Sequence, residues 1–304
     1  MVLVPFSRTQ SARALIDKYY IQSDEDFGAC VNRSEFLECD LMSHNYPQIS
    51  VIISTYNDRD LVKKKLLEIQ GQTAFNRTEF IFIEPASPGR EREILEPFCE
   101  QHVNCRLITA EERLSLYAAW NVGWEAASAP LVCISNMDDT MHPRLLERVL
   151  QEMPLRDWDV ASVLIAKQSI DEQQDSFEPA RLKQLDISLR PGPFFVWRRE
   201  LLSSFGGFDN RFEVIGDKDF WARARHRKLR VGLLPEVLYL YTKHPDQLSK
   251  SSAFLARRQA DVELSMTLDY PHRWCSGLQR HVGRIRKLRR IPLLGDYLTR
   301  KIYV

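Results

Sequence analysis

Asp138 and Asp139 stand side by side in the stretch "SNMDDT" (135–140), directly after the apolar run "APLVCI" (129–134). Adjacent carboxylates repel each other and resist removal from water. Placed at the end of a buried strand, they have two explanations. One is an exposed turn that caps a helix over 143–152. The other is a divalent cation. Hard Mg²⁺ or Mn²⁺ prefers oxygen ligands and is commonly held by one or two carboxylates together with phosphate oxygens. The pair alone does not choose between them.

The elements around the pair narrow the choice. "ISVIIS" (49–54) is a short run rich in β-branched residues, the pattern of a strand covered on both faces. "LVKKKLLEIQGQ" (61–72) has Leu61, Leu66 and Ile69 near helical spacing, which predicts a helix with its lysines on the other face. "FIFIE" (80–84) reads as a second strand broken by "PASPG", 90–102 as a helix, and "CRLIT" (105–109) as a third strand. A helix over 114–127 and a strand "PLVCIS" (130–135) follow. This alternation predicts βαβ units and a parallel sheet. Ligands of such sheets bind beyond the carboxyl ends of the strands. "STYND", "EPAS" and "NMDDT" therefore converge on one edge.

Beyond 150 the pattern is looser. "DVASVLIA" (159–166) and "PFFVWRR" (193–199) read as strands, and "ELLSSFGGFD" (200–209) as a short helix ended by a glycine pair. "DKDFWARARHRK" (217–228) is a helix with acid first and base last, as the helix dipole favours. "RVGLL" (230–234) and "EVLYLY" (236–241) read as two more strands.

The 304 residues carry a formal net charge of only +1. The charge is unevenly spread. Residues 273–304 hold nine Lys or Arg against one acid, Asp296, and the rest of the chain is acidic. None of Cys30, Cys39, Cys99, Cys105, Cys133 and Cys275 forms a CxxC pair, which argues against a zinc site and a disulfide scaffold and for a reducing compartment. Cys133, inside an apolar run, reads as a buried free thiol. No apolar stretch approaches the roughly 20 residues that span a bilayer, and "MVLVPFSR" lacks the features of a signal peptide.

"PQISVIISTYNDRD", the "QT" at 72–73, "NVGWEAASAPLVCISNMDDTMHPRLLE", "FGGFDNRF" and "GDKDFWAR" occur in the order found in family-two glycosyltransferases of the GT-A fold. The chain resembles that family over roughly residues 47–250. The resemblance implies an α/β fold with a Rossmann-like, mostly parallel central sheet flanked by helices. Residues 1–46 then form an N-terminal extension packed on the main domain, with a short helix over 10–20. Residues 251–304 form a helical, basic C-terminal extension. It further implies transfer of a sugar from a nucleotide-diphospho-sugar donor to a carbohydrate hydroxyl, with inversion, assisted by Mn²⁺ or Mg²⁺.

Site residues follow from the same resemblance. "NMDD" is similar to the family's Asp-x-Asp-Asp, with Asn136 in place of the first acid. Asp138 and Asp139 then serve the metal and the donor's ribose or phosphate, and His244, after the last strand, is a third metal ligand. Thr55, Tyr56 and Asn57 face the nucleotide base. Glu84 matches the first acid of a pair whose second member is Pro85 here, which weakens the case for a uridine donor. Asp217 occupies the position of the general base, with Gly216 replacing a glutamate; a carboxylate within hydrogen-bond reach of the acceptor hydroxyl takes its proton. Asp219 is the second candidate.

Phe194, Phe195 and Trp197 suit either an acceptor platform or the core, while the helical spacing of Trp120 and Trp124 points to core. The basic tail, with interspersed Ile, Leu and Tyr, suits an anionic membrane surface and a lipid-linked glycan acceptor. The expected location is cytoplasmic, with peripheral contact to the inner membrane face. Nothing points to nucleic acid. Two other classes stay open: a nucleotide-sugar-binding scaffold without turnover, and a sugar nucleotidyltransferase. The second normally needs a glycine-rich loop after its first strand, and "STYND" has no glycine.

Overall fold

The β-branched run after Pro47 forms the central strand β1 (Ile49–Ser54) in a computed structural model that describes residues 46–169, 176–188, 192–244 and 252–270. The expected N-terminal extension, with Cys30 and Cys39, and the basic tail, with Cys275, lie outside the described residues. β1 is flanked in parallel by β2 (Thr78–Pro85) and β4 (Leu131–Ile134), and β3 (Cys105–Ala110) pairs in parallel with β2. Helices α1 (Arg59–Gln70), α2 (Arg92–Gln101) and α3 (Leu116–Ala126) make the crossovers. β1 and β2 are almost wholly buried, as strands with both faces covered must be.

The second half adds a mixed region. After β5 (Thr140–Met141) and α4 (Leu145–Leu155) come β6 (Val160–Ser169), α5 (Pro179–Leu182), β7 (Asp186–Ser188), β8 (Phe195–Arg198), α6 (Leu201–Phe205), α7 (Gly216–His226), β9 (Val231–Lys243) and α8 (Ser252–Met266). The nine-stranded sheet runs β3-β2-β1-β4-β8-β6-β9-β5, with β7 on β6. β8 is antiparallel to both β4 and β6, whereas β9 runs parallel to β6.

Several sequence expectations need correction. The two strands over 230–241 are one, β9, which continues through Pro235 because Pro235 and Glu236 bulge out of the ladder: Val163 of β6 pairs with Leu234 and the next residue, Leu164, with Val237. Helix α6 ends at Phe205, at the glycine pair that the sequence marks as its stop, where Gly206 leaves with φ 79°. The short elements β5, α5 and β7 carry too few residues to show a period. Of the α1 lysines, Lys65 is not on the solvent face but 1% exposed.

Two apolar layers cover the sheet. One face holds α1 and α4, with Val62, Leu66, Ile69, Leu145 and Val149 against β1 and its neighbours. On the other face, Trp120, Trp124, Phe195, Trp197, Phe208 and Phe220 form one aromatic cluster under α3 and α7. Each well-placed aromatic pair adds about 0.5–1.5 kcal/mol beyond its burial. Phe194, Phe195 and Trp197 are each 0% exposed, so the acceptor-platform alternative for them gives way to core. Cys105 and Cys133 are buried free thiols.

The family-type motifs have structural reasons. A Cβ at Gly123 would sit 2.5 Å from the Ile52 side chain, so only glycine lets α3 lie this close to β1. Asn121, two residues earlier, accepts from the Phe208 N–H (2.7 Å) and donates to the Phe208 carbonyl (2.8 Å). It ties the "NVG" helix to the "FGGFD" loop. Among the described residues no helix is long and apolar enough to cross a membrane.

Candidate active site

Three segments meet at the carboxyl edge of β1, β2 and β4, as the alternation predicts. After β1 the chain turns through Asn57 at φ 62°, a left-handed conformation that Asn tolerates better than most residues. The Tyr56 N–H donates to Asp58 Oδ2 (3.1 Å) and the Asn57 N–H to Ser87 Oγ (2.8 Å). The Asp58 N–H and the Thr55 hydroxyl both donate to Glu91 Oε1 (2.5 and 3.3 Å). Thr55 is 1% exposed and acts as part of this frame. Tyr56 and Asn57 remain accessible, and the Arg113 guanidinium lies 4.2 Å over the Tyr56 ring. Glu84 is buried, and its Oε1 accepts the Ser87 N–H (2.5 Å). It shapes the wall of a cleft of about 550 Å³ that Ser87, Arg90, Thr109 and Glu111 also line.

The structure divides the two aspartates of "NMDD". Asp138 is 26% exposed on its side chain, and its Oδ2 lies 3.0 Å from His244 Nε2. Asp139, expected to share the metal, is 2% exposed with both oxygens engaged. Its Oδ1 accepts the Thr242 N–H (3.0 Å), and its Oδ2 accepts from the Asn136 amide (3.0 Å) and the Tyr239 hydroxyl (3.2 Å). Burial and the neighbouring Asp138 push the Asp139 carboxyl up to about 8, against the pull of the Thr242 N–H and the Asn136 amide. Asn136, the departure from the resembled motif, thus has a local partner: it donates where a third acid would repel.

Below this loop sits Lys65. Its Nζ donates to the Asp139 carbonyl (2.6 Å) and to Glu68 Oε1 (3.0 Å), and Glu68 Oε1 accepts the Met141 N–H (3.1 Å). A buried amine and carboxylate from α1 therefore hold both ends of the "DDTM" turn. No periodicity signals this, because Lys65 sits in a run of three lysines of which the first two face solvent.

Asp58 completes the group. Burial, Asp138 and Glu91 push it up to about 6, and His244 pulls the other way. In the sequence the one signal that marks Asp58 is its place in the "STYND" turn after β1. Asp138 and His244, one carboxylate and one imidazole that face each other at 3.0 Å and are both partly exposed, are a donor pair whose chemistry would suit Mn²⁺ or Mg²⁺. Among the described residues no third His, Cys, Asp or Glu joins them in a metal-holding group.

Asp217 and Asp219 separate as cleanly. Asp219 is fully buried, accepting from Arg223 Nε (2.7 Å) and from the Tyr270 hydroxyl (2.6 Å). Asp217, in the first turn of α7, keeps partial exposure. Burial raises its carboxyl above the ordinary range, while the Tyr117 hydroxyl, 3.5 Å from Oδ1, lowers it. A Cβ at Gly216 would lie 2.7 Å from the Tyr117 ring. That ring occupies the space a glutamate side chain would need, which accounts for the glycine.

The sheet order and crossovers are those of an α/β fold of the GT-A type. Solved structures of that fold superimpose on the chain. TarS of S. aureus in complex with UDP-GlcNAc matches with a TM-score of 0.57 at 18% identity, over 74% of this chain and 68% of that one. The mannosyltransferase PcManGT of Pyrobaculum calidifontis, in complex with GDP-Man and Mn²⁺, matches with a TM-score of 0.53 at 16% identity, over 86% of each chain. At these identities the likeness shows the fold. Residues 50–230, more than half of the chain, match glycosyl transferase family 2, and the chain belongs to that family. The Bacillus subtilis glycosyltransferase EpsJ is 24% identical over 222 residues, 67% of this chain; the chain spans 63% of EpsJ's length.

Proposed function

We propose that the protein transfers one sugar from a nucleotide-diphospho-sugar to a carbohydrate hydroxyl, with inversion at the anomeric carbon. The observation that supports this most is the division of labour among four aspartates. Asp139 and Asp219 are buried and hydrogen-bonded, while Asp138 and Asp217 stay accessible on two different elements. Asp138 and His244 would hold Mn²⁺ or Mg²⁺, which supplies positive charge against the diphosphate leaving group. Tyr56 and Asn57 contact the nucleotide, Thr55, Glu84 and Glu91 keep that turn in shape, and Asn136 and Asp139 keep the metal loop in shape. Asp217 takes the proton of the acceptor hydroxyl; its raised affinity for a proton suits a general base. Residues 47–250 form the catalytic unit, with 1–46 and 251–304 as extensions. The basic segment 273–304 brings the enzyme to an anionic membrane face and a lipid-linked glycan acceptor.

Asn136, Gly216 and Pro85 depart from the resembled motifs, and such departures are what would favour a scaffold without turnover. The first two now have local partners in Asp139 and Tyr117, so they no longer argue for a dead site. The test is release of nucleoside diphosphate from a panel of nucleotide-sugars, with and without Mn²⁺. Release that is lost with EDTA and in Asp138→Ala is the expected result. Asp217→Asn should bind donor like the wild type and lose turnover by at least about 100-fold. Full turnover in Asp217→Asn would sink the base assignment, and donor binding with no turnover in the wild type would restore the scaffold.

A further inference from the structure

The family match ends at residue 230, yet the turn that leads into the base-bearing helix is held from beyond it. Glu213, Val214 and Ile215 precede α7, and Ile215, at its N-cap, has no side chain able to cap. Their three backbone N–H groups all point at one carboxylate, Asp261 of α8. Glu213 N donates to Oδ1 and Oδ2 (3.0 and 3.1 Å), Val214 N to Oδ2 (2.7 Å) and Ile215 N to Oδ2 (2.9 Å). Asp261 is 2% exposed. Free N–H groups at a helix start attract negative charge, and charge-assisted bonds of this kind are about twice as strong as neutral ones.

Other contacts repeat the pattern. Arg257 of α8 pairs with Glu213 (3.2 Å). Tyr270, just after α8, donates to Asp219 (2.6 Å), which in turn receives Arg223, and Arg223 donates to the Gly207 carbonyl (2.9 Å). Val262, Leu264 and Leu268 pack on the aromatic cluster beneath α7. Tyr117 closes the opposite side, its ring against Gly216 and its hydroxyl at Asp217. Gly216, the one residue between Ile215 and Asp217, is thus held between these two sets of contacts.

We infer that Asp261 is a positioning residue for catalysis: by capping the 213–215 turn it fixes the place of Asp217, and α8 is a working part of the acceptor half of the site. This rests on the transferase reading above. It assigns Asp261 no contact with substrate. It also separates the two halves of the site, because Asp138, His244 and the 55–58 turn do not touch α8 through any of these bonds. A displaced base slows the chemical step, whereas donor binding is left alone. Misplacement by about 1 Å is enough to cost about 100-fold in rate.

The experiment uses the full chain with Asp261→Asn and Asp261→Ala. Asparagine keeps one acceptor oxygen, so the Asn variant tests the idea should the Ala variant fail to fold. Three quantities are read: amide exchange of 213–219, donor affinity with Mn²⁺, and kcat and donor KM for transfer. The expected result is faster exchange at 213–215, donor affinity and KM within about twofold of wild type, and kcat lowered about 10-fold in Asn and about 100-fold in Ala. Unchanged exchange in the Asn variant overturns the inference whatever the activity does. Faster exchange with wild-type kcat overturns it too, as does a fall confined to donor binding. If the wild type turns over no donor while exchange responds as expected, the transferase reading fails, and with it the catalytic role of Asp261.

Discussion

Replacing Lys65 by methionine removes the amine while keeping most of the side chain's volume, and the structure sets the size of the effect. Lys65 is 1% exposed; its Nζ serves the Asp139 carbonyl at 2.6 Å, Glu68 at 3.0 and 3.2 Å, and Ser135 Oγ at 3.4 Å. Removing one member of a buried pair costs about 3–5 kcal/mol, because the other charge is left uncompensated. Glu68 keeps the Met141 N–H at 3.1 Å, which puts Lys65→Met at the lower end, about 3 kcal/mol. Burial already raises the Glu68 carboxyl, and Lys65 is the main influence lowering it. Without Lys65 the folded state holds a proton on Glu68 at a pH where the unfolded chain has lost it. Stability of the variant therefore rises as pH falls through that raised value, and the deficit is larger at pH 8 than at pH 5.5. Urea unfolding followed by tryptophan fluorescence at both pH values measures this. Lys65→Met/Glu68→Gln should recover much of the loss, since the amide neither carries charge nor gives up the Met141 bond. A deficit under about 1 kcal/mol at pH 8, or a double variant no better than the single, would refute the reasoning.

Transfer should fail on the acid side with a midpoint above 3.8, the ordinary aspartate value, because Asp217 must be ionised to act and burial raises it. Tyr117→Phe removes a hydrogen bond that lowers Asp217 and should move that limb to higher pH; a pH–kcat series checks both. In the folding balance the sign is opposite to that of a salt-bridged acid: a raised Asp217 weighs against folding at neutral pH, and the cost is relieved as pH falls toward the unfolded value. Gly216→Ala puts a Cβ against the Tyr117 ring and should lower stability by about 1–3 kcal/mol, visible as a fall in Tm. His244→Ala should weaken Mn²⁺ binding by more than about 10-fold, the smaller end of what outer-shell partners of a ligand already contribute; titration of donor-dependent turnover with Mn²⁺ reads it, and an unchanged requirement would remove His244 from the metal site.

The strands, crossovers and acidic edge were legible in the chain because each depends on local pattern. The β-branched run at 49–54 and the alternating Phe and Ile at 80–83 allow little but a buried strand, and acids placed after such runs must emerge at the carboxyl edge. The "NVG" and "FGGFD" segments could be matched to a family, but not to each other: Asn121 meets Phe208 only through folding across 87 residues. The burial of Lys65 is hidden from the sequence for a related reason. Helical spacing assigns it to a face, yet whether that face meets water or the backbone of another loop is a property of the packed molecule.

Sequence alone therefore determined the kind of fold, the sheet edge on which the candidate site lies, and the small set of acids considered for it. Tertiary structure alone decided which acids are accessible and which are scaffolding. In "DD" and again in "DKD" the paired aspartates have the same chemistry and nearly the same address. Only the donors brought in by distant elements tell them apart: Tyr239 and Thr242 for Asp139, Arg223 and Tyr270 for Asp219. A buried carboxylate must have such partners, and where they stand is a fact about the whole packing rather than about any stretch of chain.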